Sequence, residues 1–447
     1  MKARSKLLLC GASAATVVMS VALLARPATS SAAAPVHQAT TVPTSASTDD
    51  AAAIQLAQDE GLSYDDALAR IQLQSKIVEL DQDLRDYDAD FGGLWIDQAH
   101  GGQVVVQTVA TSSDSVADSY AQQLNLTSLV VQRSASFTGK ELQSTYDAVL
   151  SEVPSRRTAN SPIDVDLDIK NNRVNIDAIG TATASLTTSQ RQWVSSLSAH
   201  GKPVKLGTHE SVQTTSGCDY SYCNAPIRGG VALLQGSQFP PNGYCTEGFN
   251  VRSTSDLKDY VTTAGHCGQE YGGTWWEHQY SDNTNHAVGP TWHAVYSGQA
   301  DALVSVNYPS GWQLPNANVI VDASDNPSWP TTFNDMYAIS STAYPAVGQY
   351  LCRTGATSGT ACGQVTSVST GAGPISGQIE VHASVCGGDS GGPVYVGHAA
   401  YGVQGAGSDS NGSHSGLNGL NQPCYSNFYA TRISQVLSTL NVDLDLS

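Results

Sequence analysis

Three things are scarce in this chain: cysteine over a long internal stretch, lysine over the second half, and apolar runs everywhere past the first residues. None of the nine cysteines falls between residues 35 and 217, so that stretch is read as a unit distinct from the rest of the chain. Beyond residue 217 the only lysine is Lys258. With 21 Lys and Arg against 39 Asp and Glu, the formal charge is −18. Clustered cations of the kind that bind phosphate are therefore missing, which excludes nucleic acid as a partner. After residue 34 no segment approaches the roughly 20 apolar residues of a helical bilayer span, which excludes such a span in the mature chain. The length, 447 residues, exceeds one typical domain.

What is present begins with an export signal. Lys2, Arg4 and Lys6 form a basic start, an apolar stretch runs from Leu7 to Leu24, and the small residues Ser31, Ala32, Ala33 and Ala34 offer cleavage sites. Gly, Ser and Thr interrupt the apolar stretch, which favours a signal over residues 1–34 that is removed rather than a permanent anchor. Cys10 sits at the front of that stretch, not after it, so it is no lipid-attachment cysteine. The remaining eight cysteines lie between 218 and 424, and an even number in an exported chain suggests a disulfide framework. A soluble, secreted, extracellular monomer is expected.

The texture also divides the chain. From Asp49 to Asp90 it is rich in Ala, Leu, Gln, Asp and Glu at helical spacing, and strand candidates come after it at Gln103–Val109 and Arg173–Asp177. A small α+β domain over 35–211 is expected. Over 212–447 the composition turns to Gly, Ser, Thr, Asn, Tyr and Val. Short runs such as Ala302–Val306 and Gly363–Val368 predict an all-β barrel or sandwich, closed by a helix over Ile433–Leu440.

Chemistry concentrates at two places. Cys386-Gly387-Gly388-Asp389-Ser390-Gly391-Gly392-Pro393 lies near the end, and Thr263-Ala264-Gly265-His266-Cys267 sets its histidine 124 residues before Ser390. A serine hydroxyl needs an imidazole to take its proton and backbone N–H groups to hold an oxyanion. Glycines flanking Ser390 permit backbone angles that turn N–H groups inward. A polar turn is the bland alternative for Gly-Asp-Ser-Gly-Gly alone, and the paired histidine motif argues against it.

From about residue 225 onward the chain resembles the trypsin and chymotrypsin family of serine endopeptidases, in its secreted bacterial branch of the streptogrisin and α-lytic type. Gly229-Gly230, Thr262 to Cys267, Cys352-Arg353-Thr354-Gly355 with Cys362-Gly363, and Cys386 to Val394 carry the resemblance. It implies two six-stranded antiparallel β-barrels with a C-terminal helix, preceded by a pro-domain that assists folding and occupies the cleft. It implies protein or peptide substrates, with the chain's own pro-region as a further partner, and neither cofactor nor metal. His266 is the implied general base, Asp301 its orienting acid, Ser390 the nucleophile, and the N–H groups of Gly388 and Ser390 the oxyanion hole. Asp301 stands 35 residues after His266, before Ala302-Leu303-Val304; the competing Asp282 sits in Ser281-Asp282-Asn283-Thr284-Asn285, a turn-like stretch.

The same resemblance pairs Cys245 with Cys267, Cys352 with Cys362, and Cys386 with Cys424. That leaves Cys218 and Cys223 for each other, a bridge without a counterpart in the family. It also implies a buried ion pair between Arg353 and Asp389, so that the mature N-terminus need not insert. Cleavage releasing the protease falls between Gly207 and Ala225. Ser384 stands where relatives that cleave after Lys or Arg carry an acid, which disfavours those residues. Gly405-Ala406-Gly407 line the pocket and leave room for a bulky apolar or aromatic side chain, although Gln404 could favour a polar one and the long segment Ser408–Pro423 could reshape the wall. His278, His286 and His293 match no common zinc spacing, and His382 and His398 read equally well as substrate contacts or as strand-surface residues. Two other classes fit less well. A binding module would lack a triad residue, and an esterase would place its histidine after the serine.

Overall fold

In the computed structural model, residues 48–109, 116–156, 163–179, 187–199, 201–209, 213–214, 227–269, 273–279, 284–306, 317–321, 334–417 and 419–446 are described. All belong to one compact unit, Val42–Ser447. The expected signal, Cys10, Cys218, Cys223 and Asp282 lie outside the described residues.

Two helices, Thr48–Glu60 and Tyr64–Tyr87, open this unit. The second starts where Ser63 accepts a hydrogen bond from the Asp66 N–H (3.1 Å), with Asp65 and Asp66 in the first turn, where the positive end of the helix favours acids. Its buried stripe, Ala67, Ile71, Gln74, Ile77, Leu80 and Leu84, recurs every three or four residues. Next come two three-stranded sheets. Phe91–Asp97, Gln103–Thr108 and Val130–Ser134 form one; Ile163–Asp168, Arg173–Ile179 and Val204–His209 form the other. Each pairs its first two strands antiparallel and adds the third in parallel, with the helix Gly139–Arg156 between the sheets in sequence. The region is α+β.

From Ile227 on, strands dominate. One sheet has eight, in spatial order Val442–Leu444, Asn250–Ser253, Asp259–Thr263, Ala300–Val306, Thr284–Ser297, Thr274–Gln279, Ala232–Gln235 and Tyr244–Thr246. The other has nine: Ser341–Thr342, Ala399–Ser415, Pro393–Val396, Tyr350–Gly355, Gly359–Ala372, Ile375–His382, Asn421–Arg432 and Val385–Cys386 in order, with Gln213–Thr214 added at Ala399–Ser415. The resemblance implies six strands in each. Part of the excess is the two-residue strands Ser341–Thr342, Val385–Cys386 and Gln213–Thr214, which carry no alternating pattern long enough to read. The segment Ser408–Pro423, expected as a long stretch able to reshape the pocket wall, is largely the tip of a long hairpin made by Ala399–Ser415 and Asn421–Arg432. The closing helix is Ile433–Leu440, which buries Ile433, Val436 and Leu440 and ends on Asn441 in the left-handed conformation.

One apolar cluster fills the eight-stranded sheet, with Ile227, Leu233, Val261, Trp275, Val288 and Leu303. A larger one joins the N-terminal region to the nine-stranded sheet, from Ala51, Trp95 and Leu142 through Tyr350 and Phe428 to Leu444. Hydrogen bonds cross this junction. The Tyr350 hydroxyl donates to Asp59 (2.7 Å), the Tyr350 N–H to Gln74 Oε1 (3.1 Å), the Gln98 amide to Gly348 O (3.1 Å) and the Ser367 hydroxyl to Asp166 (2.6 Å). Gln74, which with Asp81 is polar on the buried face of its helix, is thus used in the junction.

Candidate active site

The strand Asp259–Thr263 runs into the short helix Gly265–Gln269, which carries His266. The chain turns there on Gly265: a Cβ at that position would lie 1.9 Å from Val295 O and 2.8 Å from Ala302 N. Register does the rest. Thr263 pairs with Leu303 on the antiparallel neighbour Ala300–Val306, so Asp301 and His266 emerge at the same end of the two strands. His266 Nδ1 donates to Asp301 Oδ2 at 2.8 Å, and the His266 backbone N–H donates to Asp301 Oδ1, also at 2.8 Å. Both carboxylate oxygens therefore fix the ring and its backbone together, in a buried setting of 9% exposure for the histidine and 1% for the acid. Tyr296 lies against the ring at 5.6 Å between centroids.

Ser390 sits on the turn between Val385–Cys386 and Pro393–Val396. Gly388 has φ +94°, a conformation that resists a side chain, and its N–H has no hydrogen-bond partner among the described residues. A Cβ on Gly391 would lie 1.9 Å from Thr263 Oγ1 and 2.9 Å from Ala264 N, so this turn presses directly on the segment leading to His266. The clasp is Thr246. Its N–H donates to Ser390 O (2.7 Å) and its hydroxyl to Gly388 O (2.7 Å), while its carbonyl accepts from Thr263 Oγ1 (2.7 Å). Sequence reasoning missed Thr246, since it lies 142 residues before Gly388 and belongs to no motif.

Asp389 points into a nest of donors. Arg353 Nη1 approaches its Oδ2 at 3.1 Å with both side chains fully buried. Thr357 N (2.9 Å), Ser358 N (3.0 Å), Cys386 N (2.7 Å) and the Ser358 hydroxyl also donate to it. Arg353 spends its other donors on Gly359 O (3.0 Å), Ser384 O and the Ser358 hydroxyl. Burial pulls the Arg353 pKa below its ordinary value, and the Asp389 charge works against that pull. Gly355 makes room for the carboxylate, because a Cβ there would stand 2.2 Å from Asp389 Oδ1.

Disulfides join Cys245 to Cys267, Cys352 to Cys362 and Cys386 to Cys424, stapling the loop of His266, a hairpin and the loop of Ser390. Among the described residues the one group of three side chains with metal-ligand spacing is Cys245, His266 and Cys267, whose sulfurs are already bonded to each other. The other histidines are dispersed. His278 bonds with Asn285 (2.6 Å), His286 with Thr284 (3.0 Å), His382 with Asn427 (2.7 Å) and His398 with Ala338 O (2.7 Å), and His293 is exposed.

Of the five residues expected to line a substrate pocket, Gln404, Gly405, Ala406 and Gly407 are buried beside the Ser390 turn, tied to it by Gly391 N to Gln404 O (2.7 Å) and Gln404 N to Gly392 O (2.9 Å). A Cβ on Gly405 would lie 2.4 Å from Asp301 Oδ2, which ties this strand to the histidine pair as well. Ser384 is exposed, and it is its carbonyl that is engaged, by Arg353. The room expected beside Gly407 is occupied. A Cβ there would meet Val385 Cγ1 at 2.8 Å and Tyr425 Cδ2 at 2.8 Å. Along Ala406–Gly407 the chain lays its own Gln213–Thr214 as an antiparallel strand.

Behind Thr246 lie two buried acids. Glu247 and Glu277 are fully buried, and none of their carboxylate oxygens has a hydrogen-bond partner among the described residues. Burial pushes Glu277 up to about 8 against the pull of Arg228, and burial followed by the Glu277 charge holds Glu247 well above the ordinary range. The folded chain thus keeps protons that the unfolded chain releases near pH 4.5. Where the native state binds more protons, stability falls as pH rises, here from about 4.5 to about 8. Glu277→Gln, which cannot ionise, should raise the thermal midpoint at pH 8 and change it little at pH 4.5. Parallel curves of midpoint against pH for the two proteins would contradict this.

No family model matches the chain. It is similar to Serine protease 2 of Streptomyces fradiae, 32% identical over 191 residues that make up 41% of this chain and 95% of that protein. It is also similar to Streptogrisin-C of Streptomyces griseus, 32% identical over 193 residues, 41% of this chain and 36% of that one. Among solved structures it is similar to a glutamic acid specific serine protease described as using a histidine triad in substrate binding, with 26% identity, 49% of this chain and 100% of that chain covered, and a TM-score of 0.35. The protein is a serine endopeptidase, and its residues from Ile227 on are built mainly of strands. It belongs to the trypsin family of serine proteases, in the streptogrisin and α-lytic branch.

Proposed function

We propose that the chain is a secreted pro-enzyme whose mature part cleaves peptide bonds through Ser390, His266 and Asp301. The observation that carries this is the nucleophile turn Gly388–Gly391, held by Thr246 against the segment that ends in a His266 doubly fixed by Asp301. Ser390 Oγ bonds to the substrate carbonyl carbon as its proton passes to His266 Nε2. Negative charge on the carbonyl oxygen is met by the N–H groups of Gly388 and Ser390. Collapse breaks the C–N bond, His266 returns the proton to the leaving amine, and an acyl-enzyme on Ser390 remains. Water activated by the same imidazole releases the acid. Asp301 keeps Nδ1 protonated, so that Nε2 is the free base, and stabilises the imidazolium that forms.

In this reading residues 1–34 are the export signal, 35–211 the pro-region and 212–447 the protease domain, a monomer whose two sheets curl into barrels around the cleft. Support for a pro-region comes from its junction with the nine-stranded sheet through Asp59, Gln74 and Asp166; just past its boundary, Gln213–Thr214 lie along Ala406–Gly407 as a peptide substrate would, which supports release there. The buried Arg353–Asp389 pair supports a site that is shaped without an inserted N-terminus. Turnover tests the reading. The exported protein should hydrolyse casein and lose that activity to a peptide aldehyde, whereas hydrolysis of simple esters with casein left intact would favour an esterase.

A further inference from the structure

A peptide lying on Ala406–Gly407 in the register of Gln213–Thr214 brings its next residue toward Gly405, beside Asp301 and the nucleophile turn. The side chain of the residue whose carbonyl is attacked must then fit between three walls: Gly405–Gly407, the loop Ser384–Ser390, and the strand end Cys424–Phe428. The depth of that space depends on what faces Gly407.

It is filled by side chains from two neighbouring strands. Val385 and Tyr425 are directly paired across their antiparallel strands, next to the paired and disulfide-linked Cys386 and Cys424. Paired residues project to the same face, and here both reach Gly407: Val385 Cγ1 lies 2.8 Å from the Cβ position, Tyr425 Cδ2 2.8 Å and Tyr425 Cγ 2.9 Å. Val385 is fully buried and Tyr425 is 8% exposed, so neither is an arm resting in solvent. Phe428, fully buried, is the register partner of Gly407 and completes the floor. Ser384, which would otherwise mark the bottom, is on the surface with its carbonyl held by Arg353. A bulky side chain could enter only by displacing a buried tyrosine ring from a disulfide-braced strand pair, and overpacking a filled site is unfavourable.

The chain's own sequence fits a shallow site. Gln213 is succeeded by Thr214, Thr215, Ser216 and Gly217, none larger than threonine, within the span where the pro-region is released.

We propose that Tyr425, packed on Val385, closes the specificity pocket at depth, so that the enzyme cleaves after small residues, Ala, Ser, Thr and Val, and rejects aromatic, long aliphatic and charged ones. This deepens the proposed function and rests on Ser390 being the nucleophile. Tyr425 is a specificity-determining residue of the site, and its ring substitutes for the side chain that a deep pocket would receive.

The test is kcat/KM of the wild-type enzyme on peptide amides that differ only at the residue before the cut, Ala, Thr, Leu, Phe, Glu or Lys, repeated with Tyr425→Ala. The wild type should favour Ala or Thr over Phe by about 100-fold or more, in the range that a well-filled apolar pocket imposes. Tyr425→Ala should lower that ratio at least tenfold by raising Phe turnover. Should the variant not fold, the wild-type series decides alone. Casein hydrolysis accompanied by equal or faster cleavage after Phe, Leu, Glu or Lys would overturn the pocket proposal while leaving the nucleophile in place. Failure to cleave casein and every peptide would overturn both.

Discussion

Ser390→Ala is expected to lower casein hydrolysis by about 10⁴-fold or more, because it removes the one atom that bonds to the substrate carbonyl. What remains is the N–H pair of the turn and the grip of the Ala406–Gly407 strand on a peptide, which in Ser-His-Asp enzymes generally leave a small residual rate over water. The fold should survive. Ser390 is fully buried, and its backbone carbonyl, which accepts from Thr246 N at 2.7 Å, remains in the variant. The same substitution should stop the chain from cutting itself between Gly207 and Ala225, so full-length protein, less its signal, should accumulate where the wild type yields a shorter product. Intact mass and circular dichroism check the two halves. A variant that retained a tenth of the activity would rule out Ser390 as the nucleophile.

Arg353→Ala should be nearly as damaging by a different route. Its guanidinium is fully buried and serves Asp389, Gly359 O, Ser384 O and Ser358 at once. Truncation leaves the Asp389 carboxylate in the interior with neutral donors only, opens a cavity the size of the arginine, and orphans the Ser384 carbonyl. Breaking a buried pair on one side costs about 3–5 kcal/mol, against a total stability of about 5–15 kcal/mol for a folded protein. The thermal midpoint should fall by about 6–20 °C. Because Asp389 sits between Gly388 and Ser390, any folded fraction should also hydrolyse casein poorly. An unchanged midpoint with unchanged activity would show that the pair does not hold the nucleophile turn.

How far the site could be read from the sequence depended on whether a residue's role is local. His266 and Ser390 announce themselves because close approach at Gly265 and Gly391, and positive φ at Gly388, force glycine next to them, and those glycines make the motifs. The closing helix could be read from apolar spacing within eight residues, Ile433 to Leu440. Thr246, Thr357 and Ser358 could not. Each is an ordinary polar residue whose partner lies more than 30 positions away, as with Thr246 and Gly388, 142 residues apart. Pocket depth escaped for the same reason. Small residues at Gly405–Gly407 suggested space, whereas the space is set by what Val385 and Tyr425 do on other strands. The buried Glu247 and Glu277 also carry no sequence signal, since isolated acids ordinarily face water.

The most direct measurement is peptide mapping of the active protein after reaction with a fluorophosphonate, run beside His266→Ala. The expected result is one covalent adduct on Ser390 in the wild type, formed with loss of casein hydrolysis, and none in the variant, whose serine lacks its base. An adduct on another residue, or labelling of Ser390 at equal rate without His266, would contradict the assignment of Ser390 and His266 as nucleophile and base.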